Sequence, residues 1–284
     1  MENPLDEISA IGEDINGFQQ RLVHEPPFKI CYKVIDDREG IRSALHLRYV
    51  TYRQVNFIGV NRDLIDVDAY DYYSTILGAY HIDARKQTLI GTMRIVSKND
   101  VSKTACYIKE IVESVKSKKI RLQTERAMPY PLMESFSLPD GFPDGAINSR
   151  KDKGNQPNLF EISRLAIRPD YWFRRIDVGL HHLLILNSWV NSYLQTHFMV
   201  AVHPRTQARY ERIGMQRIPE TGKVLYKHVD QFAIAMFVDL ETLLERARNY
   251  RESCEAVFPQ YKKEGYFYRT VEKRLPINMR HKTD

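Results

Sequence analysis

The chain has 284 residues, of which 43% are hydrophobic and 27% charged, and its 42 basic and 36 acidic side chains give a formal net charge of +6. This composition is typical of a folded domain and excludes collagen-like, coiled-coil and wholly disordered classes. The modest positive charge allows an acidic partner without selecting one. Three scattered cysteines, Cys31, Cys106 and Cys254, indicate reduced thiols and a cytoplasmic location rather than disulfides or a zinc site.

The N-terminal half of the chain predicts an arm, a strand, a helix and a hairpin. Residues 1–27 lack periodicity, and the acidic start has no apolar core of a signal peptide. Alternating apolar residues predict a strand over 28–36, and apolar residues at helical spacing predict a helix over 38–55. Two β-rich runs, 72–83 and 88–96, are separated by a charged turn and predict an antiparallel hairpin.

The pattern changes between residues 97 and 158. A short helix is predicted at 105–115, and prolines with tandem Pro-Asp-Gly turns follow it. A segment this long and turn-rich is unusual inside a compact domain. We therefore expect an insertion that acts as a lid, a binding loop or a partly disordered segment.

Strands and helices alternate again after the insertion. The predicted elements are strands at 159–167 and 197–202, helices at 178–194 and 205–213, and a strand pair at 225–229 and 232–238. The stretch 178–204 has no charged residue, but its histidines and asparagines favour a buried helix and strand over a membrane span. The order predicts one mixed α/β domain over 28–240, followed by a helical and basic C-terminal extension at 241–284.

Several common chemistries are excluded by missing motifs. The chain has no GxSxG elbow, phosphate-binding P-loop, GxGxxG fingerprint, HExxH pair or calcium loop. His181 and His182 are adjacent in a predicted helix and point about 100° apart, so they cannot hold one metal from one face, and we expect core or surface histidines and no metal site. The aromatic and basic run 266–269 could stack on RNA bases. A surface-packing tail is favoured, and no nucleic-acid partner is expected.

Charged residues in predicted strands and in the first helix form the strongest signal. Charges in partly buried strands need partners, since an unpaired one costs several kcal/mol. Three cations and three carboxylates balance in number, which predicts one network of Arg48, Asp68, Asp71, Arg94, Glu161 and Arg164. From charge alone, a network that only stabilises the fold and a functional site stay equally open.

Five sequence pieces in one order carry a family resemblance. They are Leu47-Arg48-x3-Tyr52, Phe57, Asp68-x2-Asp71, Gly91-Thr-Met-Arg94 and Glu161-x-Ser-Arg164. Over residues 28–238 the chain resembles the acyl-homoserine lactone synthases and, more closely, the long-chain N-acyl amino acid synthases. Both are GNAT-like acyltransferases. The resemblance implies an α/β GNAT-like acyl-CoA N-acyltransferase fold, with a mixed central sheet splayed between two parallel strands and flanked by helices.

The resemblance also implies an activity. A long-chain fatty acyl group would move from an acyl-carrier-protein thioester to the α-amine of an amino acid, giving an N-acyl amino acid. The lactone synthases usually carry tryptophan near Phe57, so phenylalanine favours the amino-acid branch. The alternatives are a lactone synthase, a coenzyme-A-dependent GNAT N-acetyltransferase and an inactive binding protein. No tightly bound cofactor is implied, because the acyl-phosphopantetheine thioester is a substrate; the lipid product allows peripheral membrane association.

Roles for single residues follow from the same resemblance. Glu161 is the expected base, acting through water, and Tyr210 the expected proton donor to the departing thiolate. Backbone N–H groups of Leu165 and Ala166 would support the oxyanion. The substrate-binding set would be Arg48, Asp68, Asp71, Arg94 and Arg164, with the aspartates holding the ammonium group and Arg94 or Arg164 pairing with the substrate carboxylate or neutralising the acids.

The acyl donor would bind where the second long helix begins. Arg174, Arg175 and Gly179 match a phosphate-binding loop at a helix N-terminus. Asp177 stands where a glycine is expected, and its charge would repel a diphosphate, which favours an acyl carrier protein over coenzyme A. The acidic carrier would be steered by the arginines. Three aromatic residues are candidates for an acyl-chain pocket, with core packing as the safer interpretation: Trp172, Phe173 and Trp189.

Overall fold

The computed structural model describes residues 27–84, 86–98, 101–114, 128–140, 142, 158–191 and 196–271. Predictions for the N-terminal arm, for much of the insertion and for the end of the C-terminal extension lie outside these residues. The described part forms one mixed nine-stranded sheet with helices on both faces. The predicted mixed α/β class is confirmed.

The elements alternate along the chain much as the sequence predicts. The strands are β1 (Phe28–Val34), β2 (Ser74–Asp83), β3 (Lys86–Ser97), β4 (Asn158–Ile167), β5 (Thr196–Val202), β6 (Gln216–Arg217), β7 (Val224–Tyr226), β8 (Gln231–Asp239) and β9 (Tyr266–Val271). The α-helices are α1 (Arg38–Gln54), α2 (Ala105–Ser114), α3 (Ile176–Val190), α4 (Gln207–Glu211), α5 (Leu240–Arg246) and α6 (Arg248–Glu264). Short 3-10 helices span Ala69–Tyr73, Pro131–Glu134, Pro169–Arg174 and Pro204–Thr206.

The sheet has one parallel pair at its centre. Its strand order is β6-β8-β5-β4-β3-β2-β1-β9, with β7 paired to β8. Strands β4 and β5 pair in parallel from Asn158 opposite Thr196 to Ile162 opposite Val200, and the other pairs are antiparallel. Because β4 continues to Ile167 beyond its last partner in β5, the two strands part there, as predicted, and a cleft opens between them.

Helices cover both faces of the sheet and bury a hydrophobic core on each. Helix α1 begins where the Asp37 carboxylate accepts the Gly40 N–H at 2.7 Å, and with α2 it packs on one face. Helix α3 is buried on almost every side between the other face and α6. This burial explains the uncharged stretch that begins at residue 178. Among the described residues, no helix has the length and apolarity needed to cross a membrane.

The strand β9 is, with the two-residue β6, a strand that the sequence did not predict. Residues 266–269 were expected in a surface-packing tail, and this is wrong, since β9 pairs antiparallel with β1 at one edge of the sheet. Phe267 is buried, and its ring stacks on Tyr32 with the ring centroids 5.0 Å apart. The alternation of buried and exposed residues in β9 is hard to recognise in the sequence, because Arg269 lies on the same face of the strand as the buried Phe267 and Val271.

Candidate active site

Six charged side chains form a closed ring in which each arginine contacts two aspartates and each aspartate contacts two arginines. Five of the six are nearly fully buried, and Asp68 has 19% of its side chain exposed. The contacts are Arg48 Nε–Asp66 Oδ2 (3.0 Å), Arg48 Nη1–Asp71 Oδ1 (2.7 Å), Asp71 Oδ1–Arg94 Nη1 (3.2 Å), Arg94 Nη1–Asp68 Oδ1 (2.6 Å), Asp68 Oδ2–Arg164 Nη2 (3.2 Å) and Arg164 Nε–Asp66 Oδ2 (3.1 Å). The ring therefore has no net charge.

The ring differs from the predicted network in one carboxylate. Five predicted members meet, but the third carboxylate is Asp66, and Glu161 lies outside the ring. Asp66 was missed because it lies in an irregular segment, where burial cannot be inferred from periodicity. The alternation Asp66-Val67-Asp68 is the one sequence signal that could have identified it, since alternate residues of an extended segment point the same way.

Local backbone geometry holds two of the aspartates. Asp68 caps the 3-10 helix Ala69–Tyr73, where its Oδ1 accepts the Tyr70 N–H at 2.9 Å. Asp71 closes this capping box, because its Oδ2 accepts the Asp68 N–H at 2.9 Å. These carboxylates are thus oriented by their own turn before they meet the arginines.

The electrostatics of the ring keep its members ionised. Burial alone would raise the pKa of Asp66, but Arg164 and Arg48 more than offset it and the pKa is lowered. The pKa of Asp68 is lowered in the same way, against burial, by Arg94 and Arg164. Burial works against the charge of Arg48 too, and the neighbouring Asp71 and Asp66 raise its pKa in spite of it. Paired charges of this kind compensate the cost of removing each from water.

Glu161 is a buried carboxyl group that forms no ion pair with any arginine in the part of the chain that the structure describes. The residue is 0% exposed; its Oε2 accepts the Leu132 N–H at 2.8 Å and its Oε1 accepts the Tyr226 hydroxyl at 3.4 Å. Burial raises the pKa of Glu161 to about 8, against the opposing effects of the Leu132 N–H and the Arg94 charge. A carboxyl group with such a pKa exchanges its proton near neutral pH, as a general base must.

A cleft with a volume of about 350 Å³ opens where β4 and β5 part. Of the predicted site residues, Arg94, Glu161, Arg164, Leu165 and Tyr210 line it. Arg48, Asp68 and Asp71 lie behind this lining, in the ring. The cleft also has an aromatic wall, formed by Tyr52, Phe57, Tyr226 and Phe232.

A β-bulge shapes the cleft wall. Thr92 is opposite Ala166 and Arg94 is opposite Ser163, so that Arg164 and Leu165 together face one residue of β3. Arg164 has a φ of 53°, in the left-handed region that side chains seldom adopt. The bulge places Arg164 in the ring and Leu165 at the cleft, whereas Ala166, buried and back in register, is outside the cleft lining.

Two polar side chains occupy the α3 and α4 side of the cleft. Burial raises the pKa of Tyr210, which keeps its phenol protonated. His181 is buried as expected, but it also lines the cleft, which the sequence did not predict. Its Nδ1 is 2.7 Å from the Asp177 carbonyl oxygen. Burial lowers the pKa of His181 to about 4, so its imidazole is neutral at pH 7.

The predicted donor-binding residues lie outside the cleft lining, around the start of α3. Arg175 precedes α3 with a φ of 53°, and the Arg174 guanidinium lies 5.5 Å from the centroid of the Phe28 ring. Gly179 has a packing explanation: a Cβ atom there would be 2.1–2.4 Å from Tyr32 ring and hydroxyl atoms. The close approach of α3 to β1 requires this glycine.

The structure removes the reason for preferring a carrier protein on the basis of Asp177. The Asp177 side chain is 11% exposed and forms an ion pair with Arg209. The expected repulsion of a diphosphate is wrong as stated, because a neighbouring cation compensates the carboxylate. The sequence did not predict this pair, since the two residues are brought together by the packing of α4 beside α3.

The aromatic candidates for an acyl-chain pocket are in other surroundings. Trp172 and Phe173 are 49% and 71% exposed, so core packing is wrong for both. Trp189 is half-buried and packs edge-on against Phe258, with centroids 5.5 Å apart. None of these three residues belongs to the lining of the cleft.

Residues 131–239 match the family model described as "FeeM: N-acyl amino acid synthase FeeM". This segment contains β4, β5, Glu161 and most of the cleft wall. Over this segment, the expected resemblance to the N-acyl amino acid synthases is confirmed. The class of protein that this segment resembles is an N-acyltransferase.

Comparison with solved structures gives similarities at low sequence identity. FeeM, an N-acyl amino acid synthase from uncultured soil microbes, is 12% identical with a TM-score of 0.47, over 80% of this chain and 98% of that chain. The lactone synthase BjaI, solved with SAM and isopentyl-CoA, is 13% identical with a TM-score of 0.46, over 78% and 90%. Arabidopsis thaliana NAA60 in complex with acetyl-CoA is 11% identical with a TM-score of 0.42, over 75% and 99%. No curated protein matches the chain in sequence.

Proposed function

We propose that the protein transfers a long-chain fatty acyl group from the phosphopantetheine thioester of an acyl carrier protein to the α-amine of an amino acid. The product is an N-acyl amino acid. The observation that carries the proposal is Glu161, a buried carboxyl group at the wall of the cleft that lies outside the charge-balanced ring and accepts hydrogen bonds only from neutral donors among the described residues. An amine substrate needs such a group, because the amine enters as an ammonium ion and must lose a proton before it attacks.

The proposed reaction uses Glu161 and Tyr210 on the two sides of the thioester. The Glu161 carboxylate takes one ammonium proton, directly or through water, and the freed nitrogen attacks the thioester carbonyl carbon. The backbone N–H groups of Leu165, in the bulge, and of Ala166, beside it, donate hydrogen bonds to the negative oxygen of the tetrahedral intermediate. The C–S bond then breaks, Tyr210 protonates the thiolate, and the second amine proton restores the Tyr210 phenol.

The ring is proposed as the rigid support of this site. Arg94 and Arg164 are its members at the cleft, and each already contacts two aspartates. This favours the role in which they neutralise the acids over pairing with the substrate carboxylate. Asp68 and Asp71 are likewise held by arginines and by their capping box, which favours anchoring of the segment over direct contact with the ammonium group.

A carrier-protein donor is supported by the surface at the start of α3. Arg174 and Arg175 lie there with Arg269, whose Nη1 donates to the Arg175 carbonyl oxygen at 3.1 Å. The exposed rings of Trp172 and Phe173 precede them. An acidic carrier would be attracted by this basic and aromatic surface. Coenzyme A is the rival donor, since the Asp177–Arg209 ion pair leaves no uncompensated carboxylate against its diphosphate.

The test is mass spectrometry of lipid extracts from cells that express the chain. Wild type is compared with Glu161→Gln and with the matched control Glu211→Gln, which makes the same change on exposed α4. We expect a new N-acyl amino acid with wild type and control, and its loss with Glu161→Gln. A lactone product would select the sister branch, and no new lipid in any culture would overturn the proposal.

A second measurement separates the donors. The purified protein is given an amino-acid mixture with either acyl carrier protein or coenzyme A carrying the same long acyl chain, and released thiol is measured. Turnover with the carrier that exceeds turnover with coenzyme A supports the proposed donor. The reverse preference would replace the carrier with coenzyme A and leave the N-acyltransferase assignment intact.

A further inference from the structure

Residues 128–140 are the described end of the turn-rich insertion, and they are packed firmly beside β4 and β7. The Tyr130 hydroxyl donates to the Leu159 carbonyl oxygen at 2.7 Å, and Ser135 Oγ accepts the Lys227 N–H at 3.2 Å. Tyr130, Leu132 and Phe136 are 3% exposed or less. This part of the insertion is therefore a wall of the protein core.

The same segment reaches the proposed base. The Leu132 N–H donates to Glu161 Oε2 at 2.8 Å, from the first turn of the 3-10 helix Pro131–Glu134. N–H groups of a first helical turn have no partner within their own helix, so this donor is available to a carboxylate. The other Glu161 oxygen accepts the hydroxyl of Tyr226, a buried residue of β7.

A second layer of contacts holds these two donors. Glu134 accepts a hydrogen bond from the Tyr70 hydroxyl, and its Oε2 lies 3.3 Å from His228 Nε2. The His228 ring in turn packs against the Tyr226 ring, with centroids 5.2 Å apart. The segment is thereby connected to the turn that carries Asp68 and to the chain after β7.

Among the described residues, Arg94, Asp68, Tyr226 and Tyr70 are charged or titratable groups that face Glu161. Arg94 of β3 favours the ionised carboxylate, Asp68 opposes it, and Tyr226 donates to it. The nearby His228 faces Arg164, Asp68, Glu134 and Arg94; burial and Arg164 lower the pKa of His228, which favours its neutral form. Neutral hydrogen-bond donors are thus the direct partners of the carboxyl group.

We propose that Leu132 and Tyr226 are positioning residues that form a two-donor cradle for Glu161 and set the pH above which it acts as a base. This inference rests on the proposed function and assigns a role to residues 128–140 of the insertion. An N–H or O–H that donates to a carboxylate stabilises its ionised form relative to its protonated form. Loss of either donor therefore moves ionisation of Glu161 to higher pH.

The first experiment is the pH profile of kcat/KM for Tyr226→Phe. We expect the acid limb to move upward by about one pH unit, so that the rate well below the limb falls about tenfold while the high-pH plateau is kept. The matched control is Tyr49→Phe, which removes the hydroxyl bonded to the Asn61 carbonyl oxygen and should not move the limb. A rate that falls equally at every pH, without movement of the limb, would overturn the role of Tyr226.

The second experiment separates the Leu132 N–H from the Leu132 side chain. Leu132→Pro removes both, whereas Leu132→Ala removes most of the side chain and keeps the N–H. We expect the acid limb to move upward in the proline variant and to stay in place in the alanine variant. Equal movement in both would show that packing, and not the N–H, controls the base.

The ionisation of Glu161 can also be measured directly, without an activity assay. The carboxyl ¹³C shift of Glu161 is titrated in wild type, Tyr226→Phe and Leu132→Pro, after circular dichroism shows that each is folded. Ionisation at higher pH in the folded variants supports the cradle, and ionisation at the wild-type pH overturns it. Failure of the proposed function is a different result, namely wild-type turnover in Glu161→Gln.

Discussion

Replacing Glu161 by glutamine tests two properties of this residue separately: the effect of its raised pKa on stability, and its proposed role as the general base. The pKa of Glu161 is about 8 in the folded protein, against an ordinary value of 4.5. At pH 7 about nine in ten molecules therefore hold the group as a neutral acid, which glutamine imitates in shape and charge. Because the Leu132 N–H can donate to the amide oxygen as well, we expect the variant to fold with a Tm close to that of wild type at pH 5.

The stability difference should change with pH. A carboxyl group with a raised pKa keeps its proton in the folded state while the unfolded chain releases it, so stability falls as pH rises from 4.5 to about 8. At about 1.4 kcal/mol per pH unit, this window corresponds to a loss of about 5 kcal/mol in wild type. Glu161→Gln lacks this loss and should gain on wild type between pH 5 and pH 8, measured by urea unfolding at both values.

The rate should respond in the opposite direction. Removal of a general base costs turnover about 10²–10⁴-fold, and we expect a fall of at least about tenfold, equal to about 1.4 kcal/mol of transition-state stabilisation. The acid limb of the wild-type profile should be absent from the residual activity. Wild-type turnover in the variant would remove Glu161 from catalysis, and an equal stability difference at pH 5 and pH 8 would refute the raised pKa.

Three further outcomes are expected. Arg48→Met leaves two buried aspartates with one partner fewer and should cost about 3–5 kcal/mol in urea unfolding. Gly179→Ala places a methyl group against the Tyr32 ring and should lower the free energy of unfolding by about 1–3 kcal/mol or more. Changing Arg174 and Arg175 together to alanine should raise KM for the acyl carrier protein severalfold at low salt and flatten its salt dependence.

The first two of these outcomes have matched controls. Arg42→Met changes an exposed arginine of α1, and Gly222→Ala adds a methyl group where no atom lies within 4 Å, so both should be close to neutral. A loss no larger than the control would contradict the ring or the packing argument. An unchanged KM for the carrier would place carrier docking elsewhere on the protein.

The sequence predicts the order of elements well, because apolar periodicity records which side of a helix or strand is buried. It fails where a strand carries little of this signal. In β9 only Phe267 and Val271 are buried, and a charged residue lies between them. The hairpin of β2 and β3 and the strands β4 and β5 were predictable because these strands are mostly buried and rich in β-branched residues, whereas the parallel pairing of β4 with β5 was implied only by the family resemblance.

The candidate site was predictable in its members more than in its contacts. Charges such as Arg94 in an apolar strand reveal that partners must exist, but charge counting cannot say which ones. Glu161 was therefore assigned to the network, and Asp66 was overlooked. The true partners of Glu161 are a backbone N–H near residue 132 and a hydroxyl from β7, and a backbone donor leaves no trace in side-chain patterns.

A closed ring of alternating charges has no end residue. Deleting one arginine leaves an open row of five that begins and ends with aspartate, and deleting one aspartate leaves a row that begins and ends with arginine. Either single change creates a net charge in a place that excludes water, whereas a paired exchange of neighbours preserves neutrality. Substitutions at these six positions should therefore occur in coupled pairs during evolution, and homologous sequences should show covariation between the positions.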